Sequence, residues 1–189
     1  MLEITAQTIQ RAAQGDVAAF EDIYRKTSGF VYNVAWRMAR NREDAEEIAQ
    51  NVFVSVYRKL ADFRFEASLK TWLYRITVNL ALNYLKKTGR ERDRTVSYDD
   101  AVAYPDAGIE NIPAPMQEPA DPQRVERMLG ALNPDQRACI VLRSIEGLSY
   151  QEIARALNIN INTVRSRIKR ARETLLALRK KELAQEVSL

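Results

Sequence analysis

Histidine is absent from the 189 residues, and Cys139 is the single cysteine. Those two facts remove most side-chain chemistry at once. Without histidine the chain lacks the commonest general base near neutral pH and the commonest zinc ligand. One cysteine and no histidine exclude a structural zinc site, a Cys–His or Ser–His nucleophile pair and an internal disulfide. Cys139 lies beside the apolar stripe Ala138, Val141 and Leu142 and reads as a small buried residue. Carboxylates remain. Asp44 and Glu47, three apart, have the spacing to share a metal, but that is also ordinary helix-surface spacing, and no Gly-rich phosphate loop accompanies them. The expectation is a protein with no catalytic site, no metal and no cofactor.

What does recur is the chemistry of nucleic-acid recognition. Thr163, Arg165, Ser166, Arg167, Lys169, Arg170 and Arg172 crowd one short stretch. Arginine bonds a guanine edge in bidentate fashion, worth about 1–3 kcal/mol of discrimination per good pair. A second set is Trp72, Arg75, Asn79, Asn83 and Lys86, at spacings that place an aromatic, two amides and two cations on one helical face. Single-stranded DNA is held by cations on its phosphates and by planar or amide groups on its bases. Just upstream, Asp62–Ser68 offers Phe63 and Phe65 beside Arg64, a composition able to hold an unstacked base. Trp72 and Phe63 would serve equally well as core residues.

These sets need scaffolds, and the scaffolds read as helices. Apolar residues recur at three- and four-residue intervals, with no strand alternation. Asp16 can cap a helix carrying Phe20, Ile23 and Tyr24, and Val31, Val34, Ala35 and Met38 mark a second. Ile48, Val52, Val56 and Leu60 mark a third, and Leu69, Leu73, Ile76 and Leu80 a fourth. Downstream, the stripes are Ala138, Val141, Leu142 and Ile145, then Ile153, Ala154 and Leu157, then Val164, Ile168, Ala171, Leu175 and Leu178. Between the two sets, five of the six prolines fall from Pro105 to Pro122. Charge follows the same division: residues 1–94 carry net +4, residues 95–122 net −6 and residues 123–189 net +6. The fold expected is all-α, with helical bundles at 1–94 and 123–189 joined by a flexible acidic linker at 95–122.

The C-terminal bundle carries the sharpest local signal. Ser149 and Glu152 have capping-box spacing, so a short helix runs from there to Leu157, after Gly147 ends its predecessor. Asn158, Ile159, Asn160 and Ile161 form a turn, and Asn162 or Thr163 caps the next helix, leaving backbone donors suited to a phosphate. Two helices joined this way are a helix-turn-helix, whose second helix can enter the major groove.

Leu132-Asn-Pro-Asp-Gln-Arg137, Gly147-Leu-Ser-Tyr-Gln-Glu-Ile-Ala154 and Thr163-Val-Arg-Ser-Arg-Ile-Lys-Arg-Ala-Arg172 resemble region four of bacterial sigma factors, closest to the extracytoplasmic-function (ECF) group of the sigma-70 family. Asp44-Ala-Glu-Glu-Ile-Ala-Gln-Asn-Val-Phe53, Phe63-Arg64, Ser68 and Thr71-Trp-Leu-Tyr-Arg-Ile-Thr-Val-Asn79 resemble region two. The pattern departs at Asn160, Asn162 and Asn51, where Pro, Gly and Glu are common in the family. The resemblance implies a transcription initiation factor that binds core RNA polymerase and promoter DNA. Thr163, Arg165, Ser166, Arg167, Lys169, Arg170 and Arg172 would read the −35 element as duplex. Phe63, Arg64, Phe65, Ser68, Trp72, Arg75, Asn79 and Asn83 would capture the melted −10 non-template strand.

Asp44, Glu47, Gln50 and Asn51 fall on an outer face of the third helix, which simple solvation would also explain. The resemblance implies that this face docks on the polymerase clamp helices. It implies further that the acidic linker threads near the polymerase active site, whereas composition alone favours a plain tether. Family members are often held by an anti-sigma factor, so one is a candidate partner. The alternative is a stand-alone helix-turn-helix regulator. No run of eighteen apolar residues is present, and Met1-Leu2-Glu3-Ile4 does not open a secretory signal, so the expected compartment is the cytoplasm.

Overall fold

The computed structural model describes residues 4–89, 122–144 and 147–186, which are helical with no strand among them. The chain separates into two compact units, Met1–Thr88 and Gly89–Leu189. The expected linker at 95–122 lies outside the described residues up to Pro122. Pro122 itself opens a helix, and proline suits a first helical position because its missing N–H would have had no partner there.

Unit 1 consists of α1 (Ala6–Ala13), α2 (Val17–Ala39), α3 (Arg42–Lys59), a 3-10 turn (Leu60–Asp62) and α4 (Leu69–Thr88). Helix α2 packs against α1, α3 and α4, and α3 also packs on α4. Asp16 caps α2 as expected, accepting from the Ala19 N–H at 3.0 Å while Arg11 clasps its other oxygen. The two helices expected within residues 16–38 are one. Gly29 costs a helix interior about 1 kcal/mol relative to alanine. The buried stripe Ile23, Thr27, Val31, Val34, Ala35 and Met38 nevertheless runs unbroken past it, and the burial offsets the cost. In α4 the stripe also differs from the expected one. Leu69 and Leu73 are buried, but the seam then follows Tyr74, Thr77, Val78, Ala81, Leu82 and Leu85, and Ile76 and Leu80 are only half-buried. The helix meets two neighbours, so its buried arc is wider than one i, i+4 row.

Unit 2 consists of α5 (Pro122–Gly130), α6 (Pro134–Ser144), α7 (Tyr150–Leu157) and α8 (Ile161–Glu186). Helices α6 and α7 both pack on α8. Ala138, Val141 and Leu142 of α6, Ile153 and Leu157 of α7, and Val164, Ile168 and Ala171 of α8 form the core. Ile145 lies outside the described residues. Arg137 is the largest buried side chain, 1% exposed, and its guanidinium donates to the carbonyls of Leu129 (2.9 Å) and Leu132 (2.8 Å). It thereby serves the Leu132 carbonyl in the α5–α6 turn and shares the Leu129 carbonyl of α5 with the Leu132 N–H, 3.3 Å away.

The capping box of α7 is complete. Glu152 N–H donates to Ser149 Oγ at 3.3 Å, and Ser149 N–H and Oγ–H both reach Glu152 Oε2, at 2.8 and 2.7 Å. The Ser149 donors hold the Glu152 carboxyl below its ordinary range. Ser149→Ala is expected to cost about 1 kcal/mol of unit 2 stability, read as a lower midpoint in urea unfolding with an unchanged slope.

Candidate nucleic-acid interface

In unit 2 the helix-turn-helix is made by α7, a short turn and α8. Asn158 ends α7 in the left-handed region (φ 53°), a conformation asparagine tolerates. Asn160, not Asn162 or Thr163, begins the next helix. Its Oδ1 accepts from Asn162 N–H at 2.8 Å, and its carbonyl accepts from Val164 N–H at 3.1 Å. The expected phosphate donor at Asn162 is therefore occupied by the cap.

The basic residues of α8 divide into two groups. Arg165 and Lys169 are exposed, turned away from the buried stripe Val164, Ile168 and Ala171. Arg165 also reaches Asn162 Oδ1 at 3.3 Å. Thr163, Ser166 and Arg170 are half-buried beside them, and Ser166 Oγ donates back to the Thr163 carbonyl at 3.0 Å. Two residues expected at the DNA face sit differently. Arg167 turns inward, 17% exposed, to pair with Asp135 of α6 at 3.4 Å. One step of 100° around the helix from Ser166 carries it to the α6 side. Arg172 is half-buried, with its Nη1 enclosed. Cys139 is buried below Arg167, and burial pushes its thiol up to about 12, as expected of an inert core residue.

Arg143 braces the entry to this motif. Its guanidinium donates to the Leu148 carbonyl at 3.0 Å and lies 5.3 Å from the Tyr150 ring centroid. Gly147 supports the same passage with a φ of 71°.

In unit 1 the loop between the 3-10 turn and α4 brings three aromatic rings together. Phe63 is buried, with its ring 4.8 Å from that of Phe65 and 5.2 Å from that of Trp72. Phe65 is 46% exposed and holds a φ of 58°, in the left-handed region where a bulky residue is rare. Phe63 and half-buried Trp72 thus make a floor, and Phe65 stands as an outer wall with exposed Arg64 next to it. Ser68, expected at the DNA, is exposed and caps α4: its Oγ accepts from Thr71 N–H at 3.0 Å and meets Thr71 Oγ1 at 2.8 Å. Along α4, Arg75, Asn83 and Lys86 are exposed, and half-buried Asn79 donates its amide N–H to the Arg75 carbonyl at 2.9 Å.

On α3, Glu47, Gln50 and Asn51 share an exposed face. Asp44 does not belong to it. It is 3% exposed, and its carboxylate accepts from the Tyr84 hydroxyl of α4 at 3.0 Å. The same hydroxyl lies 3.0 Å from Glu47 Oε2. Burial, followed by the two carboxylates, pushes the Tyr84 phenol up to about 12, so it remains a donor throughout the neutral range. Asp44 lies on the edge of the exposed arc that meets α4, which the spacing within α3 does not reveal. No group of three or more metal-ligating side chains occurs among the described residues, and no described helix is long and apolar enough to cross a membrane.

Two helical modules, one with a basic helix-turn-helix and one with an aromatic, amide and cation face, define a nucleic-acid-binding architecture. Residues 23–91 match the family model for sigma-70 region 2, and residues 123–175 the model for sigma-70 region 4. The chain is 34% identical over 174 residues to the RNA polymerase sigma-H factor of Pseudomonas aeruginosa, covering 89% of this chain and 90% of the relative. It is 38% identical over 180 residues to the ECF RNA polymerase sigma factor SigE of Mycolicibacterium smegmatis, covering 92% of this chain and 68% of the relative. Among solved structures it resembles the sigma factor RpoE of Bartonella quintana, determined in complex with the anti-sigma factor NepR, with a TM-score of 0.62, 27% identity, and coverage of 87% of this chain and 98% of that one. The fold also matches that of CnrH in complex with the cytosolic domain of CnrY, with a TM-score of 0.61, 24% identity, and coverage of 95% and 99%. The chain belongs to the ECF group of RNA polymerase sigma factors, within the sigma-70 family.

Proposed function

We propose that this chain binds core RNA polymerase and directs it to promoters by two separate contacts. Unit 2 lays the N-terminal half of α8 in the major groove of the −35 element. Arg165 and Lys169 carry the readout, with Thr163, Ser166 and Arg170 at its edge. Arg167 and Arg172 hold α8 against the bundle. Unit 1 receives the non-template strand of the −10 element. Phe63, Phe65 and Trp72 form the stacking site for a flipped base, and Arg64, Arg75, Asn79 and Asn83 line the path of the strand, with Ser68 fixing the start of α4. Glu47, Gln50 and Asn51 dock on the polymerase.

Strand separation then follows from binding energy alone. Stacking on aromatic side chains stabilises each unstacked base by about 1–3 kcal/mol, comparable to the cost of removing it from the duplex. The reading assigns the chain no catalytic step, no metal and no cofactor. Its place of action is the cytoplasm, with core polymerase. An anti-sigma factor, the partner named for the Bartonella relative, is the inhibitor this reading expects. The observation that carries the proposal is the pairing, in one chain of this family, of an exposed basic face on α8 with the three-ring site at the start of α4.

The contacts can be sorted by mutation. Arg165→Ala is expected to remove about 1–3 kcal/mol of discrimination at one −35 base pair, read by titrating a set of singly mutated sites, with the melting temperature unchanged. Arg167→Met is expected to lower the melting temperature of unit 2 and leave the site preference as it was. The wider test is a mobility-shift titration of a promoter fragment with the chain alone and with core polymerase added. A sequence-specific complex that needs the core supports the reading. Tight operator binding by the chain alone, with no affinity for the core, supports the stand-alone regulator instead.

A further inference from the structure

The Tyr84 hydroxyl links the α3 face that carries Glu47 to the α4 helix that carries Asn79 and Asn83. Asn83 is exposed on α4, and the next residue, turned by 100°, points Tyr84 at α3. There its hydroxyl stands 3.0 Å from Asp44 Oδ1 and 3.0 Å from Glu47 Oε2. Asp44 is buried and fixed within the first turn of α3, where Asn41 caps the Asp44 N–H at 3.0 Å. Glu47 is exposed, on a side chain with three rotatable bonds. The two acceptors therefore differ. The single hydroxyl proton is shared between the two in a three-centre bond, in which fixed Asp44 anchors the phenol and the phenol restrains Glu47.

We propose that Tyr84 is a positioning residue for polymerase docking, holding the Glu47 carboxylate in the rotamer that the partner meets. A free glutamate loses its rotamer freedom when an interface immobilises it, and a side chain already held loses less. The bond to Tyr84 uses Oε2, leaving Oε1 available to a basic group of the partner. The inference rests on the docking face assigned above and adds a residue from a different helix, remote in sequence and itself no part of that face.

The test is a double-mutant cycle in affinity for purified core polymerase, using the full chain with Tyr84→Phe, Glu47→Ala and both. Tyr84→Phe also takes a donor from buried Asp44, so unit 1 melts at a lower temperature whatever the role; affinities are therefore measured well below that transition. Tyr84→Phe is expected to weaken core binding about five- to tenfold, and to have no further effect once Glu47 is alanine. Penalties that add in full in the double variant would mark a general structural role and overturn the proposal. So would a Tyr84→Phe chain that binds the core as well as the unaltered chain, or more tightly. Wild-type affinity in Glu47→Ala alone would remove the docking face itself, a failure visible before Tyr84 is altered.

Discussion

Arg137→Met is expected to destabilise unit 2 more than any other single change considered for it. The guanidinium is fully enclosed and serves two carbonyls, those of Leu129 and Leu132, at the junction of α5 and α6. Methionine fills much of the same volume but donates nothing. Leaving a buried acceptor unsatisfied costs about 1–3 kcal/mol; the Leu129 carbonyl keeps the Leu132 N–H, so the loss falls mainly on the Leu132 carbonyl and comes to about 2–3 kcal/mol. Domain stabilities are about 0.05–0.15 kcal/mol per residue, so a loss of that size is a substantial fraction of the total. Its thermal transition should fall by about 15 °C, followed by circular dichroism, while unit 1 keeps its own transition. A shift of only a degree or two would mean that water or another group replaces the guanidinium, and that Arg137 does not secure the α5–α6 junction.

Phe65 is expected to show opposite effects on folding and on strand capture. Its backbone sits at φ 58°, where a residue with a side chain is less favourable than glycine by about 1–2 kcal/mol. Phe65→Ala and Phe65→Gly both delete the ring that packs 4.8 Å from Phe63. The two variants differ mainly in the backbone cost, so the glycine variant should unfold at higher denaturant than the alanine one. Both should lose the same stacking energy for an unstacked base, about 1–3 kcal/mol, and so about a tenfold or greater loss of open complex. Permanganate reactivity of thymines in the −10 element measures that loss. Strain of this kind persists where the surrounding structure holds it in place, and it clusters at ligand clamps. A glycine variant that opens promoters as well as the unaltered chain would show that the Phe65 ring forms no wall of the base site.

The parts of the fold that were legible in sequence are those set by local rules. The Ser149–Glu152 capping box, the Asp16 cap and the stripe Ile48, Val52, Val56 and Leu60 each depend on residues within a turn or two, and each stands in the structure as read. The positions whose surroundings differ from the expectation depend on a third body. Asp44 and Glu47 look alike on an isolated helix, but only Asp44 lies where α4 closes over it. Arg167 and Arg165 are both basic residues near the start of α8, but α6 presents Asp135 to one of them alone. Asn160, Asn162 and Thr163 can all start a helix, and Asn160, placed in the turn by its spacing, is the one that caps α8. Helices α1 and α5 went unread because each is short and buries few residues, although Thr5, which caps α1, and Pro122, which opens α5, are start signals. Nothing in the local sequence sets Tyr84 apart from an ordinary helix aromatic. Its position next to Asn83 was visible, but its reach to two carboxylates 40 and 37 residues earlier was not.

The central claim is that this chain gives core RNA polymerase its promoter. Run-off transcription tests it most directly, using purified core polymerase, a linear template bearing the cognate −35 and −10 elements, and the chain added or withheld. A discrete transcript should form only when the chain is present, and should vanish when either element is scrambled. The account is contradicted if the chain binds the template yet the core starts no specific transcript, or starts the same transcript without it.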